Sequence, residues 1–267
     1  MCRLLGYLGP PTPLEHLIYK PEHSLIVQSY QPRELEIALL NADGFGVGWY
    51  HAQRQMAPFT YRNTSPIWND INLPQISRYV ESGCVLANIR SATPGLAVDL
   101  SNCQPFTHQH LLFVHNGFIE DFRQTLYRPI RDRLTDTAYK AIHGLTDSEH
   151  IFALLIHELE TAPGISLELA LHRVLMLLSE LAGPYQVRVA ANIIISTGNR
   201  LIACRFDNQT TAPSFYWLRN HPMVPEALVL ASEPFFAANW MTFPESSIIS
   251  VGEDLEIHTR SLSCRAA

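Results

Sequence analysis

The second residue of the chain is the first that could do chemistry. Cys2 follows Met1 directly, and cysteine is small enough for an aminopeptidase to remove that methionine. The cleaved chain would begin with a residue that has both a thiol and a free α-amino group. Reference pKa values are about 8.5 for a thiol and about 7.7–8.0 for an α-amine, so the amine can take the thiol proton near neutral pH. Position 2 therefore indicates either a nucleophile with its own base or simply a small residue near a strand start.

Two apolar segments end in residues that could bind a carboxylate or a carbonyl oxygen. Residues 84–90 form a nearly apolar strand that ends at Arg90, and a buried arginine needs an anionic partner. That partner is either an internal salt bridge or the carboxylate of a ligand. Residues 111–114 form another strand, after which Asn116-Gly117 indicates a turn or an oxyanion hole.

Two other segments have both a structural and a functional interpretation. Residues 41–50 are rich in glycine, and Gly44 and Gly46 predict either a bulge or a close approach of the backbone to another group. Asp147 precedes an apolar helical pattern, so it either caps that helix, as Ser148 also could, or binds the ammonium group of a ligand.

The composition excludes several classes of protein. The chain has 267 residues, 47% of them hydrophobic, with 19 basic and 25 acidic residues and no basic run. A nucleic-acid or membrane partner is therefore disfavoured. The five cysteines are scattered and form no C-x-x-C pair, which predicts a cytoplasmic protein with neither a disulfide framework nor a metal site.

The order of elements predicts an α+β fold in a single domain. A strand over residues 3–8 closes at Gly9, one short helix lies between Pro13 and Pro32, and further strands precede residue 115. Two helices follow, up to Leu159 and over residues 165–182. The chain is β-rich from Ala190 onward, with a hairpin turn at residues 197–199.

Six segments together resemble the class II glutamine amidotransferases, which are N-terminal nucleophile (Ntn) hydrolases. They are Met1-Cys2-Arg3, Asp43-Gly44-Phe45-Gly46-Val47-Gly48-Trp49, Asn88-Ile89-Arg90-Ser91-Ala92-Thr93, His115-Asn116-Gly117, Thr146-Asp147-Ser148-Glu149 and Ala231-Ser232-Glu233-Pro234. The resemblance is greatest to the stand-alone branch that includes the γ-glutamyl-hercynylcysteine S-oxide hydrolases of ergothioneine biosynthesis. It implies a four-layer αββα sandwich, formed by residues 1–267 as one amidotransferase domain whose mature chain starts at Cys2.

The resemblance also implies a role for each residue of the site. Cys2 would be the nucleophile, and Asn116 and Gly117 would stabilise the oxyanion. Arg90, with Thr93, would bind the α-carboxylate of a glutamyl group and Asp147 its α-ammonium. Gly44 and Gly46 would let the backbone pack over the nucleophile and the substrate. Ser91 departs from the family, since many relatives have an aromatic residue there.

The function implied is hydrolysis of a γ-glutamyl amide without cofactor or metal, with γ-glutamyl-hercynylcysteine S-oxide as the leading substrate. Its trimethylated ammonium would call for an aromatic or acidic lining, for which Trp49, Phe106, Phe235 and Trp240 are candidates. One alternative is a hydrolase of glutathione or glutamine that acts in a larger complex. Another is a non-catalytic γ-glutamyl binding protein, if Met1 is retained. A homo-oligomer and a partner subunit both stay open.

Overall fold

The structure is a computed structural model that describes residues 2–34, 40–51, 57–92 and 97–262. The strands in chain order are β1 (Arg3–Pro13), β2 (Phe45–Trp49), β3 (Phe59–Asn63), β4 (Glu81–Ile89), β5 (Phe106–His108), β6 (Leu111–Ile119), β7 (Val189–Ser196), β8 (Leu201–Asp207), β9 (Tyr216–His221), β10 (Val224–Ala231), β11 (Met241–Thr242), β12 (Ser247–Val251) and β13 (Ile257–Ser261). The α-helices are α1 (Glu15–Ile18), α2 (Leu25–Tyr30), α3 (Leu73–Tyr79), α4 (Tyr127–Arg131), α5 (Asp136–Lys140), α6 (Asp147–Thr161) and α7 (Leu167–Ala182).

The strands form two antiparallel sheets. The first has the order β11-β9-β10-β1-β4-β2-β3 and the second the order β13-β12-β8-β7-β6-β5. Strand β1, which follows Cys2, is therefore central in its sheet, between β10 and β4. The two sheets stack face to face, because successive side chains of a strand point to opposite faces and both faces of these strands are apolar.

Three apolar clusters show four layers. One cluster lies between the sheets and includes Leu4, Leu86 and Val114. A second joins the outer face of the first sheet to helices α1–α3, and a third joins the outer face of the second sheet to helices α4–α7. The layers are thus helix, sheet, sheet and helix, and the predicted αββα sandwich is confirmed. Within the described residues, no helix is both long and apolar enough to cross a membrane.

Several local predictions need correction. The strand that was expected to stop before His115 continues to Ile119, because β7 pairs with it along its whole length. Asn116-Gly117 is therefore not a turn. The segment between Pro13 and Pro32 contains two short helices and not one. The first strand does not close at Gly9 but runs to Pro13. By contrast, the hairpin at residues 197–199 connects β7 and β8 as predicted.

Candidate active site

The side chains that face the space between the sheets form rows along the strands. In β1 the inward row is Leu4, Gly6 and Leu8, whereas Leu5 and Tyr7 pack against the outer helices. Gly6 belongs to the inward row because a Cβ there would lie 3.1 Å from Ile194 of the opposite sheet. Continued back by one step of two residues, this row reaches Cys2, which is partly exposed.

The inward rows change from apolar side chains to asparagine at one end of the sandwich. Asn88 pairs with Leu4 across β4 and β1, and Asn116 pairs with Asn192 across β6 and β7. The Cys84 Sγ lies 2.8 Å from the Ser196 Oγ at the other end, which shows which ends of the two sheets lie together. Asn88, Asn116 and Asn192 therefore all lie at the end of the sandwich where Cys2 stands.

These asparagines are almost completely buried, yet their amides are not fully paired within the described residues. Neither amide atom of Asn88 has a hydrogen-bond partner, and the Oδ1 atoms of Asn116 and Asn192 accept no hydrogen bond. The Nδ2 of Asn192 does donate, to the carbonyls of Pro213 and Ser214. Because an unpaired buried amide costs free energy, such atoms are where a polar ligand gains most by binding. The register of the strands brings the three asparagines to one end of the sandwich. Asn88 and Asn192 were not among the site residues predicted from the sequence.

Gly117 stands where strands β6 and β7 leave no room for a side chain. A Cβ at this position would lie 1.9 Å from the Ala190 carbonyl oxygen and 2.5 Å from the Nε2 of His115. The His115 ring is held at both nitrogens, with Nε2 3.3 Å from the Ala190 oxygen and Nδ1 2.8 Å from the Ser148 hydroxyl. Burial lowers the pKa of His115, although the charge of Asp147 opposes this. A neutral ring that donates to Ala190 and accepts from Ser148 satisfies both contacts.

Asp147 is the first residue of α6 but not its cap. The cap is Thr146, whose side chain accepts a hydrogen bond from the Glu149 N–H, so the prediction of Asp147 or Ser148 as cap was wrong. One Asp147 oxygen instead accepts from the backbone N–H of Ile119 at 2.8 Å, and the other from the Ser148 N–H at 2.7 Å. The carboxylate thus joins the start of α6 to the end of β6, a few residues beyond Asn116, and it is only partly buried.

Arg90 is buried at the end of β4, with 4% of its surface exposed. Its guanidinium donates to the backbone carbonyl of Asp43 at 3.3 Å, and no carboxylate of the described residues forms a salt bridge with it. Of the two partners that the sequence left open, the internal salt bridge is thus not found in the described part of the chain. Burial raises the pKa of Cys103, and the charge of Arg90 opposes this rise.

Gly44 and Gly46 allow a close approach, but the neighbour is protein. Gly44 has a φ of +107°, and a Cβ there would lie 2.7 Å from the Sγ of Cys103. A Cβ on Gly46 would lie 2.2 Å from the Gln104 carbonyl oxygen. These glycines therefore let residues 103–104 pack against the loop beside Arg90. Thr93 lies outside the described residues.

All four aromatic candidates pack against the apolar clusters behind the sheets. Phe106 packs against Phe152 of α6, and Phe235 belongs to the cluster beneath α1–α3. Neither is in the cluster between the sheets. Trp49 and Trp240 are only partly buried and also pack against the outer cluster of the first sheet.

A cavity of about 1010 Å³ lies at the opposite end of the sandwich, lined by residues that include Pro10, Tyr50 and Gly198. It contains Cys84, but burial raises the pKa of this thiol to about 12, which keeps it protonated and unreactive at neutral pH. The Cys84 thiol in the wall of this cavity is therefore not a second nucleophile. The exposed side chains of Asp254, Glu256 and His258 lie close enough together to bind a cation. Exposed acidic groups are common without a bound ion, so this cluster alone does not indicate a metal site.

Comparisons with known proteins agree on the family. The family model of the class-II glutamine amidotransferases matches residues 19–233. A γ-glutamyl-hercynylcysteine sulfoxide hydrolase of Mycobacterium tuberculosis is 30% identical over 253 residues, 94% of this chain and 93% of that protein. A probable glutamine amidotransferase of Saccharomyces cerevisiae is 36% identical over 166 residues, 60% of this chain and 46% of that protein.

Solved structures show the same fold. A glutamine aminotransferase class-II domain protein of Silicibacter pomeroyi superposes with a TM-score of 0.72 at 27% identity, covering 98% of this chain and 100% of that one. The glutamine phosphoribosylpyrophosphate amidotransferase of Bacillus subtilis, at 15% identity, matches with a TM-score of 0.67 over 99% of this chain and 50% of its own. The chain belongs to the class-II glutamine amidotransferases, with the Ntn-hydrolase fold, and is an amidohydrolase.

Proposed function

We propose that the chain hydrolyses a γ-glutamyl amide with Cys2 as its nucleophile, after removal of Met1. The observation that carries this proposal is the end of the sandwich where Cys2 lies on the same inward side as three buried asparagines with unpaired amide atoms. The freed α-amine takes the thiol proton, the thiolate attacks the γ-carbonyl, and the amine product leaves with that proton. Water then releases glutamate from the thioester and regenerates Cys2.

Asn116 and Gly117 are proposed to stabilise the tetrahedral oxyanion. Their position within a paired strand supports this role, since a sheet holds the amide and the backbone N–H more rigidly than a turn. The His115 ring, fixed at both nitrogens, packs directly against Gly117. Loss of one such donor typically lowers the rate by about 10²–10³-fold.

Arg90 and Asp147 are proposed to bind the two charges of the glutamyl head. Arg90 has a buried guanidinium without a carboxylate partner in the described residues, which suits the α-carboxylate. Asp147 is held by two backbone N–H groups and stays partly exposed, which suits the α-ammonium. Two opposite charges at a fixed separation would select a free γ-glutamyl group and reject an ordinary α-peptide. Thr93 is proposed to add a hydroxyl contact to the carboxylate, and Gly44 and Gly46 are proposed to act indirectly, by letting residues 103–104 pack beside Arg90.

The proposed substrate is γ-glutamyl-hercynylcysteine sulfoxide, and residues 1–267 are proposed to act as one amidotransferase domain. Support comes from relatives with that name, whose similarity covers 94% of this chain. Glutathione or glutamine, cleaved within a larger complex, is the alternative, because the yeast relative is more similar in sequence over a shorter stretch.

The test is glutamate release from the sulfoxide, glutathione and glutamine, measured side by side on protein whose intact mass shows that Met1 is absent. Cys2→Ala should abolish release, whereas Cys84→Ala, which removes a buried thiol at the other end, should leave it unchanged. Arg90→Gln and Asp147→Asn should raise KM by about 10- to 100-fold, the value of a charged hydrogen bond. If processed protein hydrolyses none of the three, the proposal fails and γ-glutamyl binding without catalysis takes its place.

A further inference from the structure

A buried ionic cluster lies on the outer face of β1, directly after Cys2 in sequence. Arg3, Glu233 and His23 are each no more than 2% exposed. Glu233 joins them: its Oε1 is hydrogen-bonded to the Nε2 of His23, and its Oε2 lies 3.4 Å from the Nε of Arg3. Leu4 faces the other sheet. Because side chains alternate along a strand, Arg3 faces the helices, and the same alternation continued to Cys2 puts it on the side of Leu4.

Glu233 also holds a second chain segment. Its Oε1 accepts from the backbone N–H of Arg33 at 2.8 Å, and its Oε2 accepts from that of Glu34 at 3.2 Å. The neighbouring Ser232 is bonded to β1 in both directions, since its Oγ accepts from the Leu4 N–H at 3.0 Å and its own N–H donates to the Leu4 carbonyl at 3.2 Å. Residues 232–233 therefore fasten positions 3 and 4 of the chain.

This cluster is a costly way to stabilise a fold. Burial lowers the pKa of Arg3, which the charge of Glu233 opposes, and neither the Nε nor the Nη2 of Arg3 has a hydrogen-bond partner in the described residues, so Glu233 contacts Arg3 as an ion pair only. Apolar residues of similar volume commonly stabilise a protein as well as or better than a buried ion pair. A role beyond stability is therefore the better explanation for these charges.

The position of Cys2 at the start of the processed chain suggests such a role. A residue at the very end of a chain is attached on one side only, and chain ends fray unless they are tied down. A displacement of about 1 Å at a reacting group can cost about 10²-fold in rate. Fixing the residue after Cys2 from behind the sheet restricts this motion and leaves the inward face free for substrate.

We propose that Glu233 is a positioning residue: through Arg3, and together with Ser232, it holds Cys2 in place for attack. This inference rests on the proposed role of Cys2 as the nucleophile. In this role Glu233 touches no reacting atom. Its effect should therefore appear in the chemical step and not in the binding of the glutamyl head.

The test compares Glu233→Gln with Glu168→Gln in the processed enzyme. Glu168 also pairs with an arginine, Arg200, but does so beside the hairpin at the opposite end of the sandwich. Glu233→Gln should lower kcat by about 10- to 100-fold and leave KM within twofold, while Glu168→Gln should leave both unchanged. Glu233→Asp, which keeps the charge, should recover part of the loss. Unchanged kcat in Glu233→Gln, or an equal loss in both glutamine variants, would overturn the proposal.

Two further measurements keep the inference testable. If Glu233→Gln does not fold, Ser232→Ala removes one hydrogen bond to Leu4 and no charge, and it should lower kcat by about three- to tenfold. Alkylation of Cys2 by iodoacetamide, followed by peptide mass spectrometry, needs no substrate. In Glu233→Gln the chain end is held less firmly and the Cys2 thiol is exposed to the reagent more often, so alkylation at pH 7 should become about threefold faster.

The alkylation result separates the two proposals. If the wild type hydrolyses no γ-glutamyl amide, the proposed function fails, while a faster alkylation in Glu233→Gln alone still supports the link from Glu233 to Cys2. Equal alkylation rates in the wild type and in both glutamine variants would refute that link, whatever the substrate is.

Discussion

Replacement of Asn88 by leucine should stabilise the fold and lower its activity. Asn88 is 1% exposed, and neither atom of its amide has a partner in the described residues. Leu86 and Cys84 follow Asn88 on the same face of β4, and both belong to the apolar cluster between the sheets. Leucine has the same branching as asparagine and would extend this cluster by one position.

The expected size of the stabilisation follows from these contacts. Removing an unpaired buried amide raises the free energy of unfolding by about 1–3 kcal/mol. The larger volume of leucine introduces strain, which offsets part of this gain. A net gain of about 1–2 kcal/mol corresponds to a rise in Tm of about 2–6 °C for a chain of this size. Activity should fall, because the same substitution makes the end of the sandwich that holds Cys2 apolar.

Asn192→Leu is the matched control, since Asn192 lies in an equivalent row of the opposite sheet. Its Nδ2 donates to the carbonyls of Pro213 and Ser214 at 3.2 and 3.0 Å. Leucine would remove both hydrogen bonds and take away the side-chain donor of the Ser214 carbonyl, whereas the Pro213 carbonyl keeps the Nε of Arg205 at 2.9 Å. This variant should therefore lose about 1–3 kcal/mol. Urea unfolding of both variants, with glutamate release measured on the same samples, gives the comparison.

The two substitutions should therefore change stability in opposite directions. If Asn88→Leu loses as much stability as Asn192→Leu, the Asn88 amide is satisfied in the folded protein and the reasoning from unpaired atoms is wrong. If Asn88→Leu is more stable and fully active, the asparagine row does not form part of the site.

Three other substitutions test the surroundings of the site. Gly117→Ala should lower kcat by at least about 10²-fold, because a Cβ 1.9 Å from the Ala190 oxygen must displace the strand; activity near that of the wild type would contradict this. Gln104→Leu should cost about 2–4 kcal/mol in urea unfolding, since the Gln104 side chain bonds both the N–H and the carbonyl of His115 at 2.5 and 3.1 Å; a loss below 1 kcal/mol would argue against it. Burial lowers the pKa of His150 from 6.5 to about 4, so the unfolded chain binds a proton in this range that the folded chain does not. Stability should then fall by up to about 3 kcal/mol as the pH drops from about 6.5 to 4, and His150→Gln should remove much of this slope; an unchanged slope would assign it to other groups.

Local patterns in the sequence predicted the fold class, whereas the roles of the candidate site residues came from the resemblance and stay predictions. The helical periodicity before Ala182 and the alternating apolar strands were sufficient for an α+β layered fold. The interpretation of Asn116-Gly117 as a turn was wrong, because turn propensity is local whereas pairing with β7 extends the strand through both residues. Tertiary pairing overrides a local preference of this size.

Other features depend on contacts that no local pattern contains. Asn88 and Asn192 lie at the same end because of how the two sheets stack, which the contact between Cys84 and Ser196 at the other end shows. Glu233 contacts Arg33 and His23 across at least 200 residues of sequence. The Ala-Ser-Glu-Pro segment was noticed as part of a resemblance, but its physical role required the register of β10 beside β1.

At the beginning of β1, successive side chains point to opposite faces of the sheet, and the two faces have different proposed roles. On the inward face lie Cys2, the proposed nucleophile, and the buried asparagines, whose unpaired amide atoms cost stability. On the outward face, Arg3 is held by Glu233 against the helices. Because the strand itself connects the faces, a change behind the sheet can alter the reaction without touching the substrate. Substitutions at Glu233 and at Asn88 should therefore differ in kind: both lower turnover, but only the loss of the asparagine makes the protein more stable.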